Sequence, residues 1–163
     1  MTNRYAVVLE SGAELPERAF LVNQAWGSVP VSFVQDEEAF NDCSFLDLKI
    51  NKWEVNVEWS GKQVVEPWIR IEKIKEEKLD EFLKKENRPW PLDVAGKTLM
   101  TIQMDEGGSA LDDVLLLRLV SVFLERFKVY RCDDRVEEVS RGCIASVPAQ
   151  NTVLEWLIKC EQN

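Results

Sequence analysis

Carboxylates are the groups in this chain whose types and spacing come nearest to chemistry. Adjacent pairs stand at Asp112-Asp113, Asp133-Asp134 and Glu137-Glu138. Oxygen ligands of this kind suit magnesium or calcium, but EF-hand spacing is absent. Neighbours on a helix also point about 100° apart, so Asp112 and Asp113 cannot readily chelate one ion. A helix-start position, where negative charge meets the positive end of the helix dipole, accounts for that pair better. Asp47-Leu48-Lys49, with Asp36 or Asp42 upstream, imitates the acid plus acid-x-lysine set of some magnesium nucleases. The polar face of an alternating strand explains the same tripeptide, and an acidic chain suits DNA cleavage badly. The reading is therefore of a chain with no metal site and no cofactor.

Other catalytic equipment is sparse. None of the 163 residues is histidine, which removes imidazole-based triads, histidine acid–base chemistry and the usual zinc sites. The seven glycines form neither GxxxxGK[ST] nor GxGxxG. Gly107-Gly108 precedes a helix start, but Asp105, Glu106, Asp112 and Asp113 oppose an anion there, so a turn and helix cap are expected. Four widely spaced cysteines, Cys43, Cys132, Cys143 and Cys160, form no CxxC pair and read as reduced thiols. Cys132 follows Arg131, which would lower a thiol pKa, whereas Cys160 sits on an apolar helix face. No histidine is present to activate either. These absences argue for a protein that is not an enzyme.

Charge then narrows the partner. Twenty basic residues against 29 acidic ones leave a net charge of −9, which repels phosphate backbones and anionic lipid. Direct nucleic-acid binding and membrane association are disfavoured, and a protein with a basic surface is the expected partner. Solubility alone would also explain acidity. The candidate partner-binding carboxylates are Asp36, Glu37 and Glu38, then Asp105 and Glu106, and last Asp133, Asp134, Glu137 and Glu138. Of the six tryptophans, Trp53 and Trp59 fall on an apolar alternation and read as core. Trp26 and Trp90 fall in loops without periodic partners, so they are contact candidates unless they plug the core.

The elements that must position these residues are those of an α+β fold, in one globular domain over residues 1–163. Tyr5 to Leu9 reads as a short buried strand, Ser11 to Pro16 as a loop, and Val29, Val31 and Phe33 as a further strand. A mostly antiparallel meander is expected around residues 45–74. Its strands are the Leu46, Leu48, Ile50 alternation, then Trp53 to Trp59, then Val64 to Ile74, with Pro67 marking an edge or break. Glu76 to Glu86 reads as a short helix burying Leu79, Phe82 and Leu83, ended by Arg88-Pro89-Trp90-Pro91. Thr98 to Met104 is a strand. Ser109 and Asp112 form a capping box for a long helix over about 109–127, apolar nearly all round and therefore central. Val129 and Tyr130 start a short strand, residues 135 to 150 are loop-like with a possible edge at Gly142 to Val147, and Thr152 with Glu155 caps a last helix.

No apolar run reaches the roughly 18 residues of a bilayer span, and the opening apolar run is too short for a signal-peptide core. A cytoplasmic, non-catalytic binding protein is expected, most readily an acidic immunity protein or antitoxin-type inhibitor that occludes a basic toxin or nucleic-acid-handling enzyme. The alternatives are a structural or adaptor subunit of a larger complex, and a histidine-free enzyme working through carboxylates.

Overall fold

The computed structural model describes residues 4–86, 89–90 and 93–161. Seven strands form one antiparallel sheet in the order β2-β3-β4-β5-β1-β6-β7. They are β1 (Arg4–Leu9), β2 (Val31–Gln35), β3 (Phe45–Ile50), β4 (Trp68–Ile74), β5 (Thr98–Met104), β6 (Lys128–Cys132) and β7 (Val136–Glu138). The helices are α1 (Arg18–Trp26), α2 (Lys52–Val55), α3 (Trp59–Lys62), α4 (Glu76–Glu86), α5 (Ala110–Leu124) and α6 (Gln150–Lys159). The α+β architecture with a predominantly antiparallel sheet is thus the one its sequence predicts.

β1 is apolar without alternation because it lies between β5 and β6 and both its faces are covered. Tyr5, Val7 and Leu9 join Leu46, Leu48, Ile50, Ile69, Ile71, Met100, Ile102 and Val129 beneath the helices. α5 supplies the other side with Leu111, Leu115, Leu116, Leu119, Val120 and Phe123, all buried. Each such side chain contributes about 1.5–3 kcal/mol of burial. Among the described residues the opposite face is covered over one half only. There Ala6, Val8, Leu99 and Tyr130 meet Leu79 of α4, with Phe82 and Leu83 packed against them. Over the other half, β3 and β4 present Asp47, Lys49, Arg70 and Glu72, none of them buried.

Several expectations fail. Trp53 to Trp59 is not the middle strand of a meander. β3 pairs directly with β4, and the chain between them leaves the sheet as α2 and α3. Side chains of this excursion close the end of α6: Asn56 Nδ2 donates to the Ile158 carbonyl (2.8 Å), Trp59 Nε1 to Leu157 (2.9 Å) and Lys62 Nζ to Cys160 (2.6 Å). Carbonyls at a helix end lack the regular i+4 donors, Leu157 keeping only a long bond from the Cys160 amide (3.4 Å), so three long-range bonds outweigh a period-2 pattern. Trp59 is wholly buried, whereas Trp53 is 40% exposed. Pro67 precedes β4, which is an interior strand, so it marks a strand start and not an edge.

Residues 18–26, which carry no clear signal, form α1. Its C-terminal carbonyls are met by Arg118 Nε on Ala25 (2.6 Å) and Gln150 Nε2 on Asn23 (2.8 Å). Gly142 to Val147 does not pair as an edge. The strand there is β7, followed by a 3₁₀ turn at Arg141–Ile144. The last helix starts at Gln150 with Ala149 as N-cap, placing Thr152 inside it. By contrast, the Ser109–Asp112 capping box is present as predicted. Arg88 and Pro91 of the predicted helix stop lie outside the described residues.

Candidate interaction surfaces

The carboxylates singled out by sequence divide between the two ends of the sheet. Register decides which. Arg4 pairs with Gln103, Gln103 with Arg70, and Tyr5 with Arg131, so Asp105 and Asp133 both lie just past the same end. The Asp105 amide donates to the Trp68 carbonyl (2.9 Å) and Glu106 follows, exposed. Asp133 and Asp113 both act on the Tyr5 phenol, which desolvation chiefly pushes above its ordinary pKa. One end therefore gathers Asp105, Glu106, Asp113, Asp133 and Asp134. Gln35 pairs with Leu46 and Leu46 with Ile71, so Asp36, Glu37 and Glu38 lie at the opposite end.

Several of these groups already have work to do. Asp36 turns back on the chain, accepting from the Ser44 hydroxyl and from the amides of Ser44 (2.9 Å) and Phe45 (3.3 Å). The Ser44 hydroxyl is the main cause that holds its carboxyl below the ordinary value. Gln35 Nε2 donates to the Glu37 and Glu38 carbonyls, both at 2.6 Å, which leaves those two side chains exposed. Asp133 is bound by Arg131 (2.7 Å) and Glu137 by Arg135 (3.2 Å). Glu138 lies opposite Tyr130, whose phenol is pushed up by burial first and by that charge second.

The two candidate tryptophans differ from a pair of loop contacts. Trp26 ends α1, is 1% exposed, and donates from Nε1 to the Leu115 carbonyl at 2.8 Å. It is a core side chain and not a surface one. Trp90 is half-buried with its ring edge-on to Tyr130 at 6.1 Å. Its Nε1 is buried and finds no acceptor among the described residues.

A buried polar centre went undetected in the sequence. Lys52 is 1% exposed and Asp112 3%, and Lys52 Nζ lies 2.8 Å from Asp112 Oδ1. Gln63 joins both, accepting from Lys52 and donating to Asp112 Oδ2 (2.8 Å). The Ser109 amide donates to Asp112 Oδ2 at 2.7 Å, and the Lys52 ammonium lies 4.9 Å from the Trp59 ring centre. The signal available was the capping box. Nothing local shows that Lys52, 60 residues away, would reach it.

The nuclease-like set is not assembled. Both Asp47 oxygens are held by Arg70, through Nε and Nη2 at 2.8 Å each. Lys49 is drawn to Glu66 (3.7 Å) and lies over Trp68. Among the described residues, no three of Cys, Asp or Glu converge as a metal-binding group. Cys43, Cys132 and Cys160 are buried.

An open hollow of about 460 Å³ lies between the Ser11-Gly12 turn and the Asn41–Ser44 segment. Lys73 lines it, but its ammonium is spent on the carbonyls of Phe40 (2.7 Å) and Asn41 (2.9 Å). Burial is the main cause that pushes the Lys73 pKa down. Among the described residues no helix is long and apolar enough to cross a membrane. No protein-family model, curated protein or solved structure matches the chain.

Proposed function

We propose that this chain is a non-catalytic binding protein of the acidic immunity or antitoxin type, which occludes a basic surface on a toxin or nucleic-acid-handling enzyme. The observation that carries the reading is the gathering of Asp105, Glu106, Asp113, Asp133 and Asp134 at one end of the sheet, in a chain of net charge −9. Arg131 and Arg135 stand among these carboxylates, paired with Asp133 and Glu137, and the excess of negative charge accelerates encounter with a patch of opposite sign. Glu106 and Asp134 are its best probes, because both are exposed and hold nothing else in place among the described residues.

The test is capture from native extract at low salt, identification by mass spectrometry, and association kinetics with the purified partner. A basic toxin or nuclease is the expected partner. Glu106→Lys with Asp134→Lys is expected to slow association about tenfold and to flatten its salt dependence. The same change at Glu37 and Glu38, at the other end, serves as the comparison. An acidic partner, or equal effects at the two ends, would count against the reading.

One observation favours an adaptor role as the second reading. Val57 (72% exposed), Val64 (84%) and Val65 (52%) lie on the excursion between β3 and β4, and Ile158 (62%) lies beside it through the Asn56 contact. Apolar exposure of this extent is a feature of contact surfaces. Recovery of a multi-subunit assembly in the same capture would support it.

A further inference from the structure

Among the described residues β2 lies at one rim of the sheet and pairs with β3 alone. The phase of that ladder is set by the Asn51 amide, which donates to the Pro30 carbonyl at 2.9 Å. Bonded pairs then recur at Ser32 with Lys49 and at Val34 with Asp47. The main-chain N–H and C=O groups of Val31, Phe33 and Gln35 consequently point away from β3, into the open. Phe33 is 46% exposed and Val34 51%. Sheet edges are normally blunted by lysine, proline or a bulge within the strand. β2 carries no charge and no proline, and its register with β3 is unbroken.

We propose that this edge is the interface of a two-fold homodimer, in which β2 pairs antiparallel with β2 of a second copy and the two sheets become one. Self-pairing is favoured over a foreign strand by the register. An antiparallel alignment centred on Phe33 sets Phe33 opposite Phe33 and Val31 opposite Gln35. These are the residues whose main-chain groups face outward, so about six hydrogen bonds form with no slip. The contact is isologous and closes on itself.

Charge favours the same arrangement. Two molecules of net charge −9 repel, and they can meet at least cost through an uncharged strand. The antiparallel sense also carries the two Asp36–Glu38 segments to opposite ends of the junction, whereas a parallel one would set them side by side. Side chains agree with it. Both Phe33 rings come to the axis, each pinned from within by Arg18, whose guanidinium carbon lies 3.4 Å from the ring centre. Arg18 Nη1 is in turn fixed on Gln35 Oε1 at 2.8 Å. On the other face Val34 lies against Ser32 of the copy. A five-residue strand is a small contact, so the dimer is concentration-dependent. The inference does not rest on the proposed function.

Sedimentation velocity from about 1 to about 200 µM tests it over the range of weak association. The expected result is a shift toward twice the 18.8 kDa chain mass as concentration rises. Phe33→Pro removes an outward N–H and no β2–β3 bond, and is expected to stay monomeric while keeping the circular dichroism of the folded chain. Should that variant misfold, Phe33→Cys decides. Opposed α-carbons about 5.5 Å apart permit a disulfide across the axis under mild oxidation. Val64→Cys, on an exposed residue away from β2, is expected to give none. A monomer throughout with no crosslink at position 33 would overturn the proposal. So would a β2 edge whose amides become protected from exchange only when a different protein is added.

Discussion

At the scale of single residues, the Lys52–Asp112 pair is where charge most affects stability. Both side chains are out of water, so removing one leaves the other with its desolvation cost uncompensated. Lys52→Met is expected to destabilise the fold by about 3–5 kcal/mol in urea unfolding at neutral pH. Asp112→Asn added to it should recover part of that loss, because an amide can still accept from the Ser109 amide without carrying a buried charge. If the double variant is no more stable than Lys52→Met, the cost lies in lost packing and not in the stranded carboxylate. Asp36 offers a test of sign. Its folded pKa lies below its ordinary value near 3.8, chiefly through the Ser44 hydroxyl. A depressed carboxyl contributes stability that is present above the unfolded pKa and lost as pH falls through the folded one. Titration followed by carboxyl carbon resonances should therefore place the Asp36 midpoint below 3.8, and Ser44→Ala should move it upward. A midpoint unmoved by Ser44→Ala would show that the hydroxyl is not what holds the charge.

At the scale of elements, the sequence was legible where a segment's neighbours are determined by its own period. β3 shows its apolar residues at even positions, α4 shows one apolar stripe, and α5 shows a capping box followed by apolar residues all round. These elements are where the sequence placed them. Trp53 to Trp59 has an equally clean alternation and is not a strand, because the decisive partners are remote. Lys52 finds Asp112, Trp59 finds the end of α6, and neither contact leaves a trace in local spacing. α1 was silent for a related reason. Arg118 and Gln150 complete its C-terminus from far along the chain, and Trp26 is fixed by a carbonyl of α5. Of the candidate site, the sequence supplied the acidic residues but not their grouping. Only register shows that Asp105 and Asp133 share an end while Asp36 lies at the other.

At the scale of the whole molecule, the net charge of −9 sets opposite salt responses for two kinds of association. Raising sodium chloride from about 20 to about 200 mM shortens the screening length to under about 10 Å, which weakens repulsion spread over the surface. It also weakens exposed ion pairs such as Arg70–Asp47, but each of those is worth about 0–1 kcal/mol. The Lys52–Asp112 pair is buried and little screened. Relief of self-repulsion should therefore dominate, so the urea midpoint should rise with salt and the β2-paired dimer should tighten. Encounter with a basic partner is driven by the same charge with the opposite sign, and should slow over the same interval. Sedimentation and association kinetics in one buffer series would read both. Two responses of the same direction would mean that net charge does not govern both contacts.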